Sequence, residues 1–300
     1  MRIPFLFVML SILVSSSMTA QSIHYNYQKD NVINLEFNKP FFKGDYSNGD
    51  FFSYDAYLNV EFEVGRQANK IAVELPFYRV SVDNIFGRNT VEESFFGNIS
   101  VAYQFRKLTS ASYLEFKLRI PTGFEDSLLF GGTDYTERLT ANILNVWSLE
   151  PNYLFDSNKD NGGYLRIKSG VKMMFGTGTG FGDDFEAFLD LHGTIGYRNN
   201  KIDFNVGITS TTLLTEDLKA AVLNTTSPSD EPESFPDRSF LQAFATITYK
   251  INKIEPGLII RLPLNSGFKD IYSTIVGLQL GYRFGRSSNH MQEIKRRTDN

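Results

Sequence analysis

Apolar and polar residues alternate with period two along about a dozen stretches of this chain. In the stretch 54–64, one face carries Tyr54, Ala56, Leu58, Val60, Phe62 and Val64, and the other carries Asp55, Asn59, Glu61 and Glu63. This alternation predicts a β-strand, because a helix would scatter the charges around its circumference. It predicts eleven further strands, near residues 31–37, 70–80, 94–105, 111–120, 141–154, 163–175, 184–198, 201–211, 239–249, 254–262 and 272–284.

The connections between these strands are alternately long and short. The long ones are 38–53, 81–93, 121–140, 176–183, 212–238 and 263–271, and the short ones are 65–69, 106–110, 156–162, 199–200 and 250–253. Outer-membrane barrels have long extracellular loops and short periplasmic turns. We therefore expect an all-β, antiparallel up-and-down transmembrane barrel of about 12 strands, within a range of 10–14, with both termini in the periplasm.

Large aromatic residues fall into two bands on the predicted lipid face. The outer band is Tyr54, Phe77, Phe95, Phe175, Phe185 and Tyr272, and the inner band is Phe62, Phe105, Tyr197, Tyr249, Tyr282 and Phe284. Aromatic girdles at both interfaces are typical of membrane barrels. A soluble β-sandwich would share the alternation but would have no reason to place aromatics in two bands.

The N-terminus has the pattern of a secretory signal peptide. Arg2 provides the positive charge, residues 5–14 form an apolar run, and small residues lead to a cleavage site near Ala20. The run is too short for a membrane-spanning helix. We expect a signal peptide at 1–20, an outer-membrane β-barrel at 21–284 and a disordered periplasmic tail at 285–300.

Composition narrows the class of protein further. The chain has 27 Phe and 15 Tyr against a single Trp, which favours strands and interfacial belts. Its formal net charge of −4 gives no basic bias toward nucleic acid. The absence of cysteine excludes disulfides and thiolate metal ligands, and no other metal or cofactor is expected.

A charge, an aliphatic residue and a proline recur near the outer ends of the upward strands. The three copies are 74–76, 119–121 and 261–263, and Lys39-Pro40 is a looser fourth. Proline cannot donate to a strand ladder, so it belongs at strand ends, edges or bulges. By parity the charges point into the lumen, and the candidate lumen or constriction residues are Glu61, Glu74, Glu115, Lys117, Arg119, Arg166, Asp190, His192 and Arg261. They form either a charged constriction near the outer mouth or an ordinary ion-paired wall.

Segment 97–124 resembles the transporter-like outer-membrane barrels labelled "MetA pathway of phenol degradation". The shared pattern is a glycine and a hydrophobic residue before one strand, here Gly97-Asn98-Ile99, and a Pro-Thr-Gly run after the next, here residues 121–123. Asn98 stands where the family has an acidic residue. The resemblance implies a barrel that passes small, often hydrophobic or aromatic, compounds across the outer membrane, and it implies no catalytic residues.

Enzymatic and metal-binding functions have weak support in the sequence. Only three histidines are present, and His192 lies two residues from Asp190, as any strand neighbours on one face do. The acidic pairs Asp183-Asp184 and Glu216-Asp217 fall in outer loops, where solvated charges are common. We expect no enzyme activity.

Two functions remain open at this stage. The first is a passive channel or transporter for small hydrophobic or amphipathic solutes in the outer membrane of a Gram-negative envelope. The second is a non-transporting barrel that serves as an interaction or assembly component through its loops and tail. A short helix at 215–223 in the longest loop, 212–238, would act as a lid or as a docking surface. Expected partners are outer-membrane lipid, lipopolysaccharide and the barrel assembly machinery, whose recognition pattern the final strand resembles at Gly277, Leu280, Tyr282 and Phe284.

Overall fold

The structure is a computed structural model that contains thirteen strands. It describes residues 31–43, 54–64, 69–82, 91–106, 110–122, 138, 141, 146–157, 161–176, 185–215, 239–265 and 272–284. The strands are β1 (Asn31–Phe42), β2 (Tyr54–Val64), β3 (Asn69–Val82), β4 (Val91–Phe96), β5 (Ile99–Phe105), β6 (Ser112–Ile120), β7 (Val146–Asp156), β8 (Gly162–Gly176), β9 (Phe185–Arg198), β10 (Ile202–Leu213), β11 (Ser239–Tyr249), β12 (Ile254–Pro263) and β13 (Tyr272–Phe284). Within these segments, no helix is long and apolar enough to cross a membrane.

The sheet closes on itself because the first and last strands pair. β1 pairs antiparallel with β13, from Asn31 opposite Phe284 to Phe42 opposite Tyr272, and its other edge pairs with β2. β4 and β5 both pair with β3, so the thirteen strands form a closed barrel of twelve positions with one extra strand. The predicted up-and-down barrel of about twelve strands is confirmed.

The two faces of the wall have the polarity of a membrane barrel. Inward side chains such as Glu36, Lys117 and Arg119 are 0% exposed, whereas outward Ile195 and Leu278 are 61% and 60% exposed. Lipid removes the penalty for exposing apolar side chains, and the closed ladder satisfies the backbone groups that lipid cannot. The wall is therefore that of a transmembrane barrel.

The strand predicted at 94–105 is interrupted at Gly97 and Asn98. Before the interruption β3 pairs with β4, ending with Phe77 opposite Phe96, and after it β3 pairs with β5, from Glu74 opposite Ser100. Pro76, which has no N–H, faces this gap, and its carbonyl accepts a hydrogen bond of 3.0 Å from Gly97 N. The expectation that proline marks an irregular position of the ladder holds here.

The interruption corrects one residue of the predicted outer aromatic band. Phe95 is 5% exposed and packs against the inward Tyr78, with ring centroids 5.3 Å apart, while Phe96 is 57% exposed to lipid. Between the two paired segments, residues 97–99 lie opposite residues 75–76, so one extra residue shifts the alternation of β4 relative to β5. Among the other predicted band residues, Phe175, Phe185, Phe105, Tyr197, Tyr249 and Tyr282 are exposed on the lipid face.

The strand predicted from residue 141 begins later, at Val146. Ala141 instead lies in a turn with Arg138, whose carbonyl accepts a hydrogen bond of 2.8 Å from Ala141 N. The predicted signal peptide, the tail 285–300, the helix at 215–223 beyond Thr215, and the acidic pairs at 183–184 and 216–217 lie outside the described residues.

The close approach at Gly97 predicts a site that tolerates no side chain. A Cβ at Gly97 would lie 2.3 Å from Tyr78 Cε2 and 2.4 Å from the Ala141 carbonyl, whereas a Cβ at Gly193 on β9 would meet nothing within 4 Å. We expect Gly97→Ala to lower the free energy of unfolding by about 1–3 kcal/mol. The matched control, Gly193→Ala, should leave it unchanged or raise it by about 0.5 kcal/mol. Urea unfolding in detergent micelles, followed by the fluorescence of Trp147, measures both, and equal midpoints would contradict the prediction.

Candidate functional site in the barrel lumen

All nine residues expected in the lumen face it. Glu74, Glu115, Lys117, Arg119 and Arg261 are at most 4% exposed. Glu61, Arg166, Asp190 and His192 are likewise buried on inward faces. The alternation of faces along each strand was therefore sufficient to predict the orientation of these side chains. Their contacts show which of them belong to one network.

The centre of the site is a cluster that includes two residues the sequence analysis did not select, Glu36 and Arg138. The Arg138 guanidinium donates from Nη1 and Nη2 to the two Glu36 carboxylate oxygens, at 2.9 and 3.1 Å. Its Nε donates to Glu74 Oε2 at 3.0 Å. Arg138 thus joins two carboxylates that lie on β1 and β3, and all three side chains are buried.

Two further arginines complete the cluster from the barrel wall. Arg119 on β6 donates to Glu74 Oε1 at 2.8 Å, and Arg261 on β12 donates to Glu36 Oε1 at 2.8 Å. Glu36, Glu74, Arg119, Arg138 and Arg261 are here called the lumen charge cluster. The three charged residues of the charge-aliphatic-proline motif meet in one network, in which Arg261 is linked to Glu74 through Glu36 and Arg138.

Arg138 also lies over an aromatic ring. Its Cζ atom is 3.8 Å from the centroid of Tyr57, which packs edge-on against Tyr78 with centroids 6.0 Å apart. The Tyr57 hydroxyl donates to Asp55 at 3.0 Å. A guanidinium over an aromatic face gains electrostatic stabilisation beyond its ion pairs. Burial lowers the pKa of Arg138, but Glu36 and Glu74 outweigh it and raise the pKa well above the ordinary value, so this residue is permanently charged.

The interruption at Gly97 and Asn98 anchors the segment that carries Arg138. Because Asn98 N is released from the ladder, it donates to the Ala141 carbonyl at 3.1 Å. Arg119 Nη1 donates to the Asn98 carbonyl at 2.7 Å, which ties the anchor to the charge cluster. Thr122 Oγ1 donates to the Gly97 carbonyl at 2.8 Å and accepts from Ile99 N at 3.1 Å.

These contacts explain the motif on which the family resemblance was based. Its glycine allows the close approach of Tyr78 and Ala141, and its asparagine and threonine connect two strands and the turn at 138–141. Asn98 Oδ1 accepts a hydrogen bond from Thr122 N at 3.2 Å, so this position needs a side chain with an acceptor oxygen. The motif is thus a docking point for a connection that enters the lumen.

Glu36 and Arg138 were missed for different reasons. Glu36 follows the same alternation as Asn34 and Asn38, so parity alone was sufficient to place it in the lumen. Arg138 lies in the connection 121–140, which strand periodicity does not cover. The one sequence signal for such an inserted cation is the acidic excess of the first three strands, where the buried charged residues are Glu36, Asp55, Glu61, Glu74 and Lys70.

A second set of ion pairs lines β6 to β10. Lys117 pairs with Glu150 at 2.6 Å, and Lys172 pairs with Asp190 at 3.0 Å. The remaining pairs and hydrogen bonds are Arg166 with Asp156, Arg198 with Asp203, Tyr164 with Asp203, and Glu115 with Gln104 and Asn152. The Tyr164–Asp203 hydrogen bond joins β8 to β10, and the other contacts join neighbouring strands. They therefore strengthen the wall.

Asp190 and His192 contact other groups in the structure. Asp190 pairs with Lys172 and accepts from Thr211 at 2.6 Å, and His192 Nε2 bonds with Thr194 Oγ1. The His192 ring packs beside Phe244 with centroids 5.0 Å apart. Asp190 is therefore oriented by a lysine and a threonine. Among the described residues, no group of three His, Asp or Glu side chains is arranged to hold a metal ion.

Comparison with known proteins identifies the fold and no family. An outer-membrane channel from Pseudomonas putida F1 superimposes with a TM-score of 0.51 at 11% identity, covering 85% of this chain and 96% of the channel. The NanC porin gives 0.48 at 11% identity, covering 85% of this chain and 100% of the porin. LpxR from Salmonella typhimurium gives a TM-score of 0.49 at 7% identity, covering 84% of this chain and 100% of LpxR.

Likeness at such low identity establishes a shared barrel architecture only. No family model matches the chain, and the comparison with curated proteins finds no relative. The resemblance of segment 97–124 to the "MetA pathway of phenol degradation" barrels is therefore supported at the level of an outer-membrane barrel, and the family label itself is not confirmed.

The dependence of the cluster on Glu36 gives a stability prediction. Glu36 accepts from Arg138 and Arg261, and its side chain is 0% exposed. Removal of one member of a buried ion pair leaves an uncompensated charge, so we expect Glu36→Gln to lower the free energy of unfolding by about 3–5 kcal/mol. The matched control is Glu255→Gln, whose partner Arg283 has a side chain that is 22% exposed, and the effect there should be about 1 kcal/mol or less. Urea unfolding measures both variants, and equal losses would contradict the role of Glu36.

Proposed function

We propose that this protein is an outer-membrane channel for small polar or amphipathic solutes. The observation that carries the proposal is Arg138, a residue of the β6–β7 connection, which lies inside the barrel and joins Glu36 to Glu74. A residue whose role is only to strengthen the wall would be expected on one of its strands. A connection that reaches the lumen instead narrows the path and sets which charges a solute meets.

The size of the barrel supports this proposal. Eight strands give an interior that side chains fill, and sixteen or more leave an open aqueous channel. Twelve strands enclose an intermediate lumen, in which an inserted segment has a large effect on the width. The lumen charge cluster is then the constriction, with Glu36, Glu74, Arg119 and Arg261 as its wall residues and Arg138 as the residue that the β6–β7 connection contributes.

The lining favours amphipathic solutes over purely hydrophobic ones. Among the inward-facing residues described, charged side chains occur on nearly every strand, and Tyr57 and Tyr78 provide aromatic surface beside them. A purely hydrophobic compound would displace water from these charged groups and offer them no hydrogen bond in exchange. A solute with a charged group and an apolar part would contact both kinds of surface.

The proposed orientation places both termini in the periplasm, after cleavage near residue 20. The long connections then face outward, including the one that carries Arg138, and the short turns face inward. Pairing of β13 with β1 closes the barrel at Phe284, which is consistent with recognition of the final strand by the assembly machinery. The tail 285–300 would extend into the periplasm.

One observation favours the alternative of a non-transporting barrel. The charges of the lumen charge cluster are paired and buried, with side-chain exposures of 0–5%. A barrel in which these ion pairs persist at all times would serve as a scaffold for its loops and tail. The two functions differ in whether Arg138 leaves its carboxylate partners.

Planar bilayer recording separates the two functions. We expect the purified wild-type protein to form discrete channels and Arg138→Ala to increase the single-channel conductance severalfold, because the substitution removes a large side chain that the β6–β7 connection places inside the barrel. Arg166→Ala is the control, since Arg166 is an equally buried arginine that pairs with Asp156 near the short-turn end of β8. Arg166→Ala should change the single-channel conductance less than Arg138→Ala does. Absence of conductance from both the wild type and Arg138→Ala would favour the non-transporting barrel.

A further inference from the structure

The partners of Arg138 have the composition of a receptor for an organic cation. Glu36 and Glu74 supply two carboxylates from different strands, and Tyr57 supplies an aromatic face 3.8 Å from the guanidinium carbon. Tyr78 supports Tyr57 from the side. Glu36, Glu74, Tyr57 and Tyr78 are here called the Arg138 cradle. A planar cation is bound through its edge by carboxylates and through its face by aromatic rings.

The geometry of the donors is that of a guanidinium fork. Nη1 and Nη2 contact both oxygens of Glu36, and Nε contacts the second carboxylate, so three donors on the planar group are used. A lysine ammonium is a point charge and cannot match this arrangement. The cradle is therefore specific for a flat cation with several N–H donors.

The surrounding charges favour a cation over an anion in the vacated cradle. The buried charges of β1, β2 and β3 are four carboxylates, Glu36, Asp55, Glu61 and Glu74, against one lysine, Lys70. Arg261 and Arg119 contact Oε1 of Glu36 and Oε1 of Glu74. Oε2 of each carboxylate faces Arg138. Withdrawal of Arg138 would leave these two oxygens directed at one empty space.

Arg138 reaches the cradle from a connection, whereas its partners belong to the wall. The turn at 138–141 is attached through the hydrogen bond from Asn98 N to the Ala141 carbonyl. Glu36 and Glu74 are held by strand pairing on both sides, whereas Arg138 lies outside the ladder. Exchange of Arg138 for a free ligand that makes the same contacts therefore breaks no strand pairing.

We propose that the Arg138 cradle is a binding site for solutes that carry a guanidinium group, and that Arg138 occupies it as a tethered substitute until such a solute displaces it. This inference rests on the proposed channel function for its transport step. The binding step is independent of conduction. An entering guanidinium solute replaces the contacts of Arg138 one for one, and the Arg138 side chain leaves the cradle while the solute is bound.

The test is chemical rescue of Arg138→Ala with methylguanidinium at millimolar concentrations. We expect methylguanidinium to raise the thermal unfolding temperature of Arg138→Ala and to reduce its conductance in planar bilayers toward the wild-type value. Urea, a neutral molecule of similar shape, should do neither at the same concentration. In the double variant Glu36→Gln/Arg138→Ala, the concentration of methylguanidinium for half-maximal stabilisation should rise about tenfold or more.

If Arg138→Ala does not assemble, Arg138→Lys takes its place. The lysine keeps a positive charge in the cradle but loses the fork, so methylguanidinium should displace it at a lower concentration than it displaces Arg138 in the wild type. Displacement is detected as a methylguanidinium-dependent change in conductance or unfolding temperature. If Arg138→Lys and the wild type need the same concentration of methylguanidinium for displacement, the proposal is overturned.

The outcomes separate this inference from the proposed function. Stabilisation by methylguanidinium without conductance in any variant would support the cradle and reject the channel. Increased conductance of Arg138→Ala that methylguanidinium does not reduce, together with equal stabilisation by urea, would support the channel and overturn the cradle. Stabilisation that survives Glu36→Gln unchanged would also overturn the cradle, because the carboxylate would not be part of the site.

Discussion

The hydrogen bond from Asn98 N to the Ala141 carbonyl links the interrupted strand of the wall to the charged cluster in the lumen. In a membrane barrel, every backbone N–H on the wall needs a partner within the protein, because lipid provides none. The interruption at Gly97 and Asn98 takes the Asn98 N–H out of the ladder, and the Ala141 carbonyl of the turn at 138–141 accepts its hydrogen bond instead. The same turn brings Arg138 into the lumen. The defect in the wall and the charged cluster in the lumen are therefore one feature.

Charge balance explains why the inserted residue is an arginine. Removing a carboxylate from water has a large penalty unless it is paired and hydrogen-bonded, and Glu36 and Glu74 lie on adjacent parts of an acidic wall. Arg119 and Arg261 each neutralise one of them from the wall. Arg138 bridges both with a planar fork that a lysine lacks. The insertion therefore stabilises the wall, and its withdrawal requires a replacement of the same charge.

Period-two alternation was sufficient to predict twelve strands, their faces and the inward orientation of residues such as Glu74 and Arg119, because parity is a local property. It failed at Phe95, where one extra residue between β4 and β5 shifts the alternation, and only pairing with β3 reveals the break. It also could not place Arg138. The position of a residue in a long connection depends on contacts with strands that are distant in sequence, and Glu36 is 102 residues away.

The segment on which the family resemblance was based has a physical role that does not depend on any family. Gly97, Asn98 and Thr122 hold together the ends of β4, β5 and β6 and the turn at 138–141. Asn98 links them to the lumen charge cluster, because its carbonyl accepts from Arg119 and its N–H donates to Ala141 in the turn that carries Arg138. In this barrel the segment therefore docks the turn that carries Arg138. Since the docking contacts are made by backbone groups of the turn, the residue at position 138 can set the charge of the lumen charge cluster while the docking point stays the same.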